Sequence, residues 1–242
     1  MYDPTAMKLV YERELIVEYG KKLINSGLTK GTGGNLSVYD RAAGLCAISP
    51  SGIHYHEMGT EDVVVVDTNG DIVEGTQSPS SEIAMHTIFY REREDVRSVI
   101  HTHSPFATTL ACMNWEMPAH HYIVALAGHS VRCAPYRTFA TTELAEVALE
   151  YMDDGRKAVF LQNHGMLSCG ASMEEAFYIA EEIEFTAEVY WRCRAVGTPT
   201  VLPDEEVRKL TEKFKGYAPL HDKRDRYTDY RKNNPHMPRG IR

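Results

Sequence analysis

The segment Ser98-Val99-Ile100-His101-Thr102-His103 constrains this chain more than any other. An apolar run ends in two histidines spaced i, i+2, and in a β-strand that spacing directs both imidazoles to one face of the sheet. Two neutral ring nitrogens converging on one point make half of a tetrahedral zinc site, and a strand is a stiff frame for them. Ser104-Pro105 follows at once and reads as N-cap and first helical residue, so the pair stands where a strand gives way to a helix. His164 lies in Gln162-Asn163-His164-Gly165, directly after the buried strand 157–161. Alone it would read as a turn histidine; beside an HxH pair it becomes the third candidate ligand. His120, His121 and His129 carry the right donor atoms, but none has a partner at strand or helix spacing that would aim it at the first pair. They read as surface or supporting groups.

Three small-residue loops adjoin predicted elements. Gly31-Thr32-Gly33-Gly34-Asn35 precedes an alternating run, Leu36-Ser37-Val38-Tyr39. Its glycines let backbone N–H groups turn toward an anion and Thr32 and Asn35 add donors, although most glycine-rich turns before strands are only turns. Ser49-Pro50-Ser51-Gly52 ends a short strand at Leu45–Ile48. Ser78-Pro79-Ser80-Ser81-Glu82 opens a helix to about Tyr90, where free N–H groups and hydroxyls suit a phosphate and where capping is the plainer reading. A capping box on Glu82 would need Ser or Thr three residues earlier, and that residue is Pro79. Glu82 therefore has no such structural task and is free to serve as a base or a metal ligand.

The rest of the chain supplies the frame. Helices are predicted over 5–26, 105–113, 141–151 and Asp204–Phe214, with a long one opened by the capping box Ser172-x-x-Glu175. That helix runs to about Arg194, with Phe177, Ala180, Ile183, Ala187 and Trp191 on its core side. Residues 63–66 form a buried strand, and Asn69-Gly70 a two-residue type I′ turn that returns the chain through Ile72-Val73. Antiparallel pairing is therefore present and a purely parallel, doubly wound sheet is excluded. Residues 117–140 read as irregular. At 242 residues and without an internal repeat or linker, one large core is expected.

Charge and cysteine usage narrow the function classes. A net charge of -8 argues against a general nucleic-acid binder, although 222–242 carries seven Lys/Arg against three Asp/Glu and reads as a solvated tail or subunit contact. Five scattered cysteines without a CxxC fit a reduced, cytoplasmic protein. Residues 1–19 lack an apolar leader core, and no run approaches the roughly 20 apolar residues of a membrane span, so a soluble protein with no membrane partner is expected.

Other HxH architectures fit poorly. A cupin-like site would place a glutamate a few residues after the pair, and a metallo-β-lactamase pattern would continue with Asp-His, whereas Ser104-Pro105-Phe106 follows here. The set Gly31-Thr32-Gly33-Gly34-Asn35, Ser49-Pro50-Ser51-Gly52, Pro79-Ser80-Ser81-Glu82, His101-x-His103 and Asn163-His164-Gly165 instead resembles the class II aldolase/adducin family. The likeness is nearest to members acting on L-fuculose 1-phosphate. It spans about 8–217, including Ala134-Pro135-Tyr136 and Phe214-Lys215-Gly216-Tyr217, which makes 1–217 one domain and 218–242 an unexplained basic tail.

The resemblance implies a three-layer α/β/α fold with a mixed, largely antiparallel central sheet. It implies one zinc ion per subunit on His101, His103, His164 and Glu82, with Glu82 also the catalytic base and Tyr122, from a neighbouring subunit, the general acid/base. Thr32, Gly33, Asn35, Ser51, Gly52, Ser80 and Ser81 would hold the sugar phosphate, Phe139 and Tyr217 would line the aldehyde side, and four copies would form a cyclic homotetramer. The implied reaction is reversible cleavage of a ketose 1-phosphate, first L-fuculose 1-phosphate, to dihydroxyacetone phosphate and a small aldehyde such as L-lactaldehyde. Alternatives are 5-deoxyribulose or methylthioribulose 1-phosphate as substrate, then a pentulose-5-phosphate 4-epimerase or methylthioribulose-1-phosphate dehydratase, then a non-catalytic adducin-like module. Epimerases of this kind place an aspartate where this chain has Ala119-His120-His121-Tyr122, and adducin head domains lack the metal ligands.

Overall fold

The structure, a computed structural model, describes residues 7–215. Tyr217 and the basic tail lie outside the described residues. The elements run α1 (Val10–Asn25), β1 (Asn35–Asp40), β2 (Leu45–Ile48), β3 (Val64–Asp67), β4 (Ile72–Glu74), α2 (Ile83–Glu92), β5 (Ser98–Thr102) and α3 (Pro105–Cys112). After them come β6 (Met117–Pro118), a 3-10 turn (Tyr122–Leu126), β7 (Ser130–Val131), β8 (Cys133–Ala134), α4 (Thr142–Glu150), β9 (Ala158–Leu161), β10 (Gly165–Gly170), α5 (Met173–Val196) and α6 (Asp204–Phe214). Eight strands form one sheet in the order β4-β3-β2-β1-β5-β10-β9-β8. Every neighbouring pair is antiparallel except β8 and β9. The sheet is thus mixed and largely antiparallel, as expected.

Strand alternation divides the interior into two cores, one on each face of the sheet. Leu36 and Val38 of β1 and Ile100 of β5 face α1, α3 and α5, packing with Leu15, Ile16, Leu110, Ile179 and Ile183. Tyr39, Val99 and Leu167 face the other way, onto Met85 and Phe89 of α2 and Leu144 and Val147 of α4. Because side chains alternate along a strand, His101 shares the face of Val99 and looks toward α2. This parity sets the depth of the site: His101 is fully buried, two residues past a core valine.

Several sequence expectations need correction. Strand β10 was not anticipated. Its residues, Gly-Met-Leu-Ser-Cys-Gly, have little intrinsic strand preference, and it forms because β5 and β9 supply ladders on both sides. Residues 117–140 are not wholly irregular, since β6 pairs with β7 and β8 joins the main sheet. The turn at Asn69-Gly70 is not type I′. Gly70 alone has a positive φ, +95°, and Gly70 N–H donates to Asp67 O, which gives a type I turn followed by a glycine bulge. Asp67 supports it by accepting from the backbone N–H groups of Asn69 and Asp71.

Trp191 is 43% exposed and lies against Phe106, while its neighbour Tyr190 takes the core position. Ser104 is the N-cap of α3 by position, but its hydroxyl caps nothing. The N–H groups of Phe106 and Ala107 donate instead to the carboxylate of Glu184 on α5, both at 2.8 Å. Ser172 does cap α5, accepting from Glu175 N–H, yet Glu175 turns its own carboxylate to Ala171 N–H and Lys157.

Candidate metal and substrate site

His101 is the next-to-last residue of β5, His103 follows that strand, and His164 occupies the turn between β9 and β10. Because β10 lies between β5 and β9, that turn is carried back to the end of β5. The candidate donor atoms of the three imidazoles lie within 4.8 Å of one another. The ring centroids of His101 are 4.7 Å from those of both His103 and His164. Two glycines make this approach feasible. A Cβ on Gly165 would stand 2.3 Å from Thr102 O and close to both His101 and His103, and one on Gly34 would stand 2.6 Å from His101 O. Gly34 also has φ +69°, a left-handed conformation that favours glycine.

Protonation is set by burial and by one backbone acceptor. His101 Nδ1–H donates to Met166 O at 3.0 Å, leaving the Nε2 lone pair to face the cluster. Burial holds His101 well below the usual imidazole range, and the neighbouring His164 and His103 push in the same direction. His103 is lowered by burial and then by His164, with Glu82 opposing. His101 Nε2 and His103 Nε2 are 2.9 Å apart, a distance at which two lone pairs repel unless a proton or cation lies between them.

Glu82, at the N-cap of α2, completes the cluster. Its Oε1 is 3.3 Å from His164 Nε2 and its Oε2 is 3.4 Å from His101 Nε2. Glu82 is 7% exposed, and Oε1 has no hydrogen-bond partner. A buried carboxylate oxygen without a hydrogen-bond partner is costly unless a cation is held there. Three imidazoles and one carboxylate fit a divalent metal of the zinc type by both donor chemistry and convergence.

The residues expected to hold phosphate gather beside this cluster. The loops 49–52 and 78–82 are stitched together, with Ser51 N–H donating to Ser78 O, Ser80 N–H to Ser49 O, and a bridge between Pro50 and Pro79. Ser49 Oγ accepts from Leu36 N–H near the start of β1, and Tyr55, just past the first of these loops, donates to Gly34 O in the glycine turn. Thr32, Ser51, Gly52 and Ser81 are exposed, Gly33 lies next to His103, and Ser80 is buried. Asn35 stands apart from the anion-binding role expected of its side chain. The amide Nδ2 donates to Glu82 Oε2 at 2.9 Å, and Oδ1 pairs with His86 Nε2.

Two expected residues are surface-exposed and have other surroundings. Tyr122 is 51% exposed and lies against His121 and Phe214. Phe139 is 64% exposed on the loop after β8. A cleft of about 450 Å3 opens beside His103, lined by Lys30, Pro105, Thr108, Thr109, Cys112 and Met113. Neither Tyr122 nor Phe139 lines it. Among the other histidines, His120 bonds to Pro118 O, His121 accepts from Ile123 N–H, and His129 is exposed. Among the described residues only His101, His103 and His164 form a metal-competent group.

Sequence reading missed the supports of the site. Ser37, His86 and Tyr90 are buried polar groups next to Asn35, and burial lowers His86 to about 3. A signal existed: Glu82, His86 and Tyr90 recur at i, i+4, i+8 along one helix face, where only apolar residues were sought.

The chain matches known proteins in sequence and in fold. Residues 14–191 match the family described as Class II Aldolase and Adducin N-terminal domain. A relative named 5-deoxy-D-ribulose 1-phosphate aldolase, from Bacillus thuringiensis serovar kurstaki, is 53% identical over 88% of this chain and 99% of its own. One named L-fuculose phosphate aldolase, from Escherichia coli K12, is 40% identical over 84% of this chain and 94% of its own. A solved structure named L-fuculose 1-phosphate aldolase superposes with a TM-score of 0.83 at 48% identity, covering 87% of this chain and 98% of the other.

Proposed function

The chain belongs to the class II aldolase and adducin family and is an aldehyde-lyase, and from that premise we propose that it cleaves a 5-deoxypentulose 1-phosphate reversibly to dihydroxyacetone phosphate and acetaldehyde, using zinc. The observation that carries the reaction type is the convergence of three imidazoles, His101, His103 and His164, beside the buried carboxylate of Glu82. The substrate rests on likeness. The 5-deoxyribulose 1-phosphate relative stands at 53% identity and the fuculose relative at 40%, which reverses the order of preference drawn from motifs alone. L-Fuculose 1-phosphate stays the second reading, because the solved structure of that name is 48% identical.

His101, His103 and His164 would hold the ion, with Glu82 Oε1 beside them. The bound ion supplies a Lewis acid that stabilises the negative charge developing on the ketone half as the C3–C4 bond breaks. Glu82 acts at carbon: in the condensation direction it removes a C3 proton from dihydroxyacetone phosphate, and in cleavage it returns one. Tyr122 acts at oxygen, taking the C4 hydroxyl proton in cleavage and giving it back in condensation. Its exposure and its place against His121 and Phe214 favour delivery from a second copy, and a cyclic homotetramer is part of this proposal. The paired serine loops and the glycine turn would offer N–H and hydroxyl donors to the substrate phosphate.

Proton NMR of dihydroxyacetone phosphate in D2O with zinc-loaded protein tests the reading without choosing an aldehyde. Loss of one hydroxymethyl proton, stopped by EDTA, is expected. No exchange would overturn the aldolase assignment in favour of chemistry with phosphate on the aldehyde half. Condensation rates with acetaldehyde, methylthioacetaldehyde and L-lactaldehyde then rank the substrates.

A further inference from the structure

The glutamate beside the histidines is held by a buried chain of side chains, of which Ser37, His86 and Tyr90 were not among the expected site residues. Asn35 Nδ2 donates to Glu82 Oε2 at 2.9 Å. With its amide nitrogen committed, Asn35 presents Oδ1 to His86 Nε2, so that nitrogen must carry the hydrogen. His86 Nδ1 is then an acceptor and takes the Ser37 hydroxyl at 2.6 Å, and Ser37 Oγ in turn accepts from Tyr90 O–H at 2.5 Å. Every member is at most 7% exposed. Each donor in the chain points toward Glu82, so the bonds polarise one another in one direction.

The two elements are matched for this. Two residues along a strand advance about 6.8 Å and four along a helix about 6 Å. Asn35 and Ser37 on one face of β1 therefore stay in step with Glu82, His86 and Tyr90 on one face of α2. The result separates the oxygens of Glu82, one clamped by Asn35 and the other, beside His164, without a hydrogen bond.

We propose that His86 is a positioning residue: through Asn35 it fixes the rotamer of Glu82, reserving Oε1 for the metal and the substrate proton. This rests on the aldolase reading above, in which Glu82 is the base. Substitutions of residues that support a metal site cost about 10–100-fold in activity or metal affinity.

The test uses the full-length, zinc-loaded protein and reads C3 proton exchange of dihydroxyacetone phosphate, its KM, and zinc content. His86→Leu is expected to slow exchange at saturation by about 10–100-fold, with KM within about twofold and one zinc per chain retained. His86→Gln keeps an amide N–H near the position of His86 Nε2 and is expected to recover most of the rate. If the His86 variants do not fold, Ser37→Ala, which leaves His86 Nδ1 without its donor, is expected to slow exchange about fivefold. Wild-type-like exchange in these variants would overturn the proposal. So would a loss of rate that only parallels loss of zinc, or equal defects in His86→Leu and His86→Gln, since those mark general structural damage. Failure of the wild-type protein to exchange would count against the aldolase reading instead.

Discussion

Glu82 shows how one residue takes opposite tasks on its two oxygens. Oε2 is held by Asn35 while Oε1, beside His164, accepts no hydrogen bond, so the carboxylate is oriented and still available. Glu82→Gln keeps the shape and removes the basicity. Proton exchange is expected to fall by about 10²–10⁴-fold, with zinc content unchanged by elemental analysis. Exchange at the wild-type rate would refute the base assignment.

His86 makes a second residue-scale prediction, on pH. Burial lowers it to about 3 in the folded protein, against about 6.5 when unfolded, so the unfolded chain binds the extra proton first. The neutral buried form is fully favourable above pH ~6.5, and stability is lost as pH falls from there toward 3, by up to about 1.4 kcal/mol per pH unit. Urea unfolding of chelator-treated protein at pH 7, 6 and 5 should show this decline, and His86→Leu should make it shallower, leaving the share of His101 and His103.

At the scale of elements, the site depends on contacts between segments distant in sequence. Glu184 on α5 caps the first N–H groups of α3, directly after His103. Removing a cap of this kind costs about 0.5–2 kcal/mol. Glu184→Ala should lower the urea midpoint accordingly, more than Ser104→Ala, whose hydroxyl caps nothing. Gly165 shows the same dependence through close packing. Any Cβ there meets Thr102 O, so Gly165→Ala should push the β9–β10 turn from β5, carry His164 away and reduce zinc retention in a competition assay with a chelator.

For the whole molecule, the proposed tetramer makes the strongest prediction. If Tyr122 serves a neighbour's Glu82, two inactive variants should complement one another. Tyr122→Phe and Glu82→Gln, unfolded together and refolded at equal amounts, should regain about a quarter of the wild-type cleavage rate, because random cyclic assembly pairs an intact Glu82 with an intact Tyr122 at that frequency. No recovery in confirmed mixed tetramers would place both groups in one subunit. No helix among the described residues is long and apolar enough to cross a membrane.

The sequence by itself determined the ligand types, the loops and the periodicities. The i, i+2 histidines announced a strand, the missing capping partner freed Glu82, and α6 was read to the residue, because such signals are local and repeat within a few positions. Only the tertiary structure decided which of these meet. Strand β10 carries almost no propensity of its own, yet it brings His164 to β5 and presents Met166 O to His101. Trp191 and Ser104 had the right pattern and the wrong role, since a neighbouring tyrosine and a distant glutamate fitted those places better. The clamp on Glu82 was invisible for the same reason. Its residues become a chain only when a strand and a helix lie side by side at matched rise, and that alignment is fixed by the packing of the two cores rather than by neighbours in sequence.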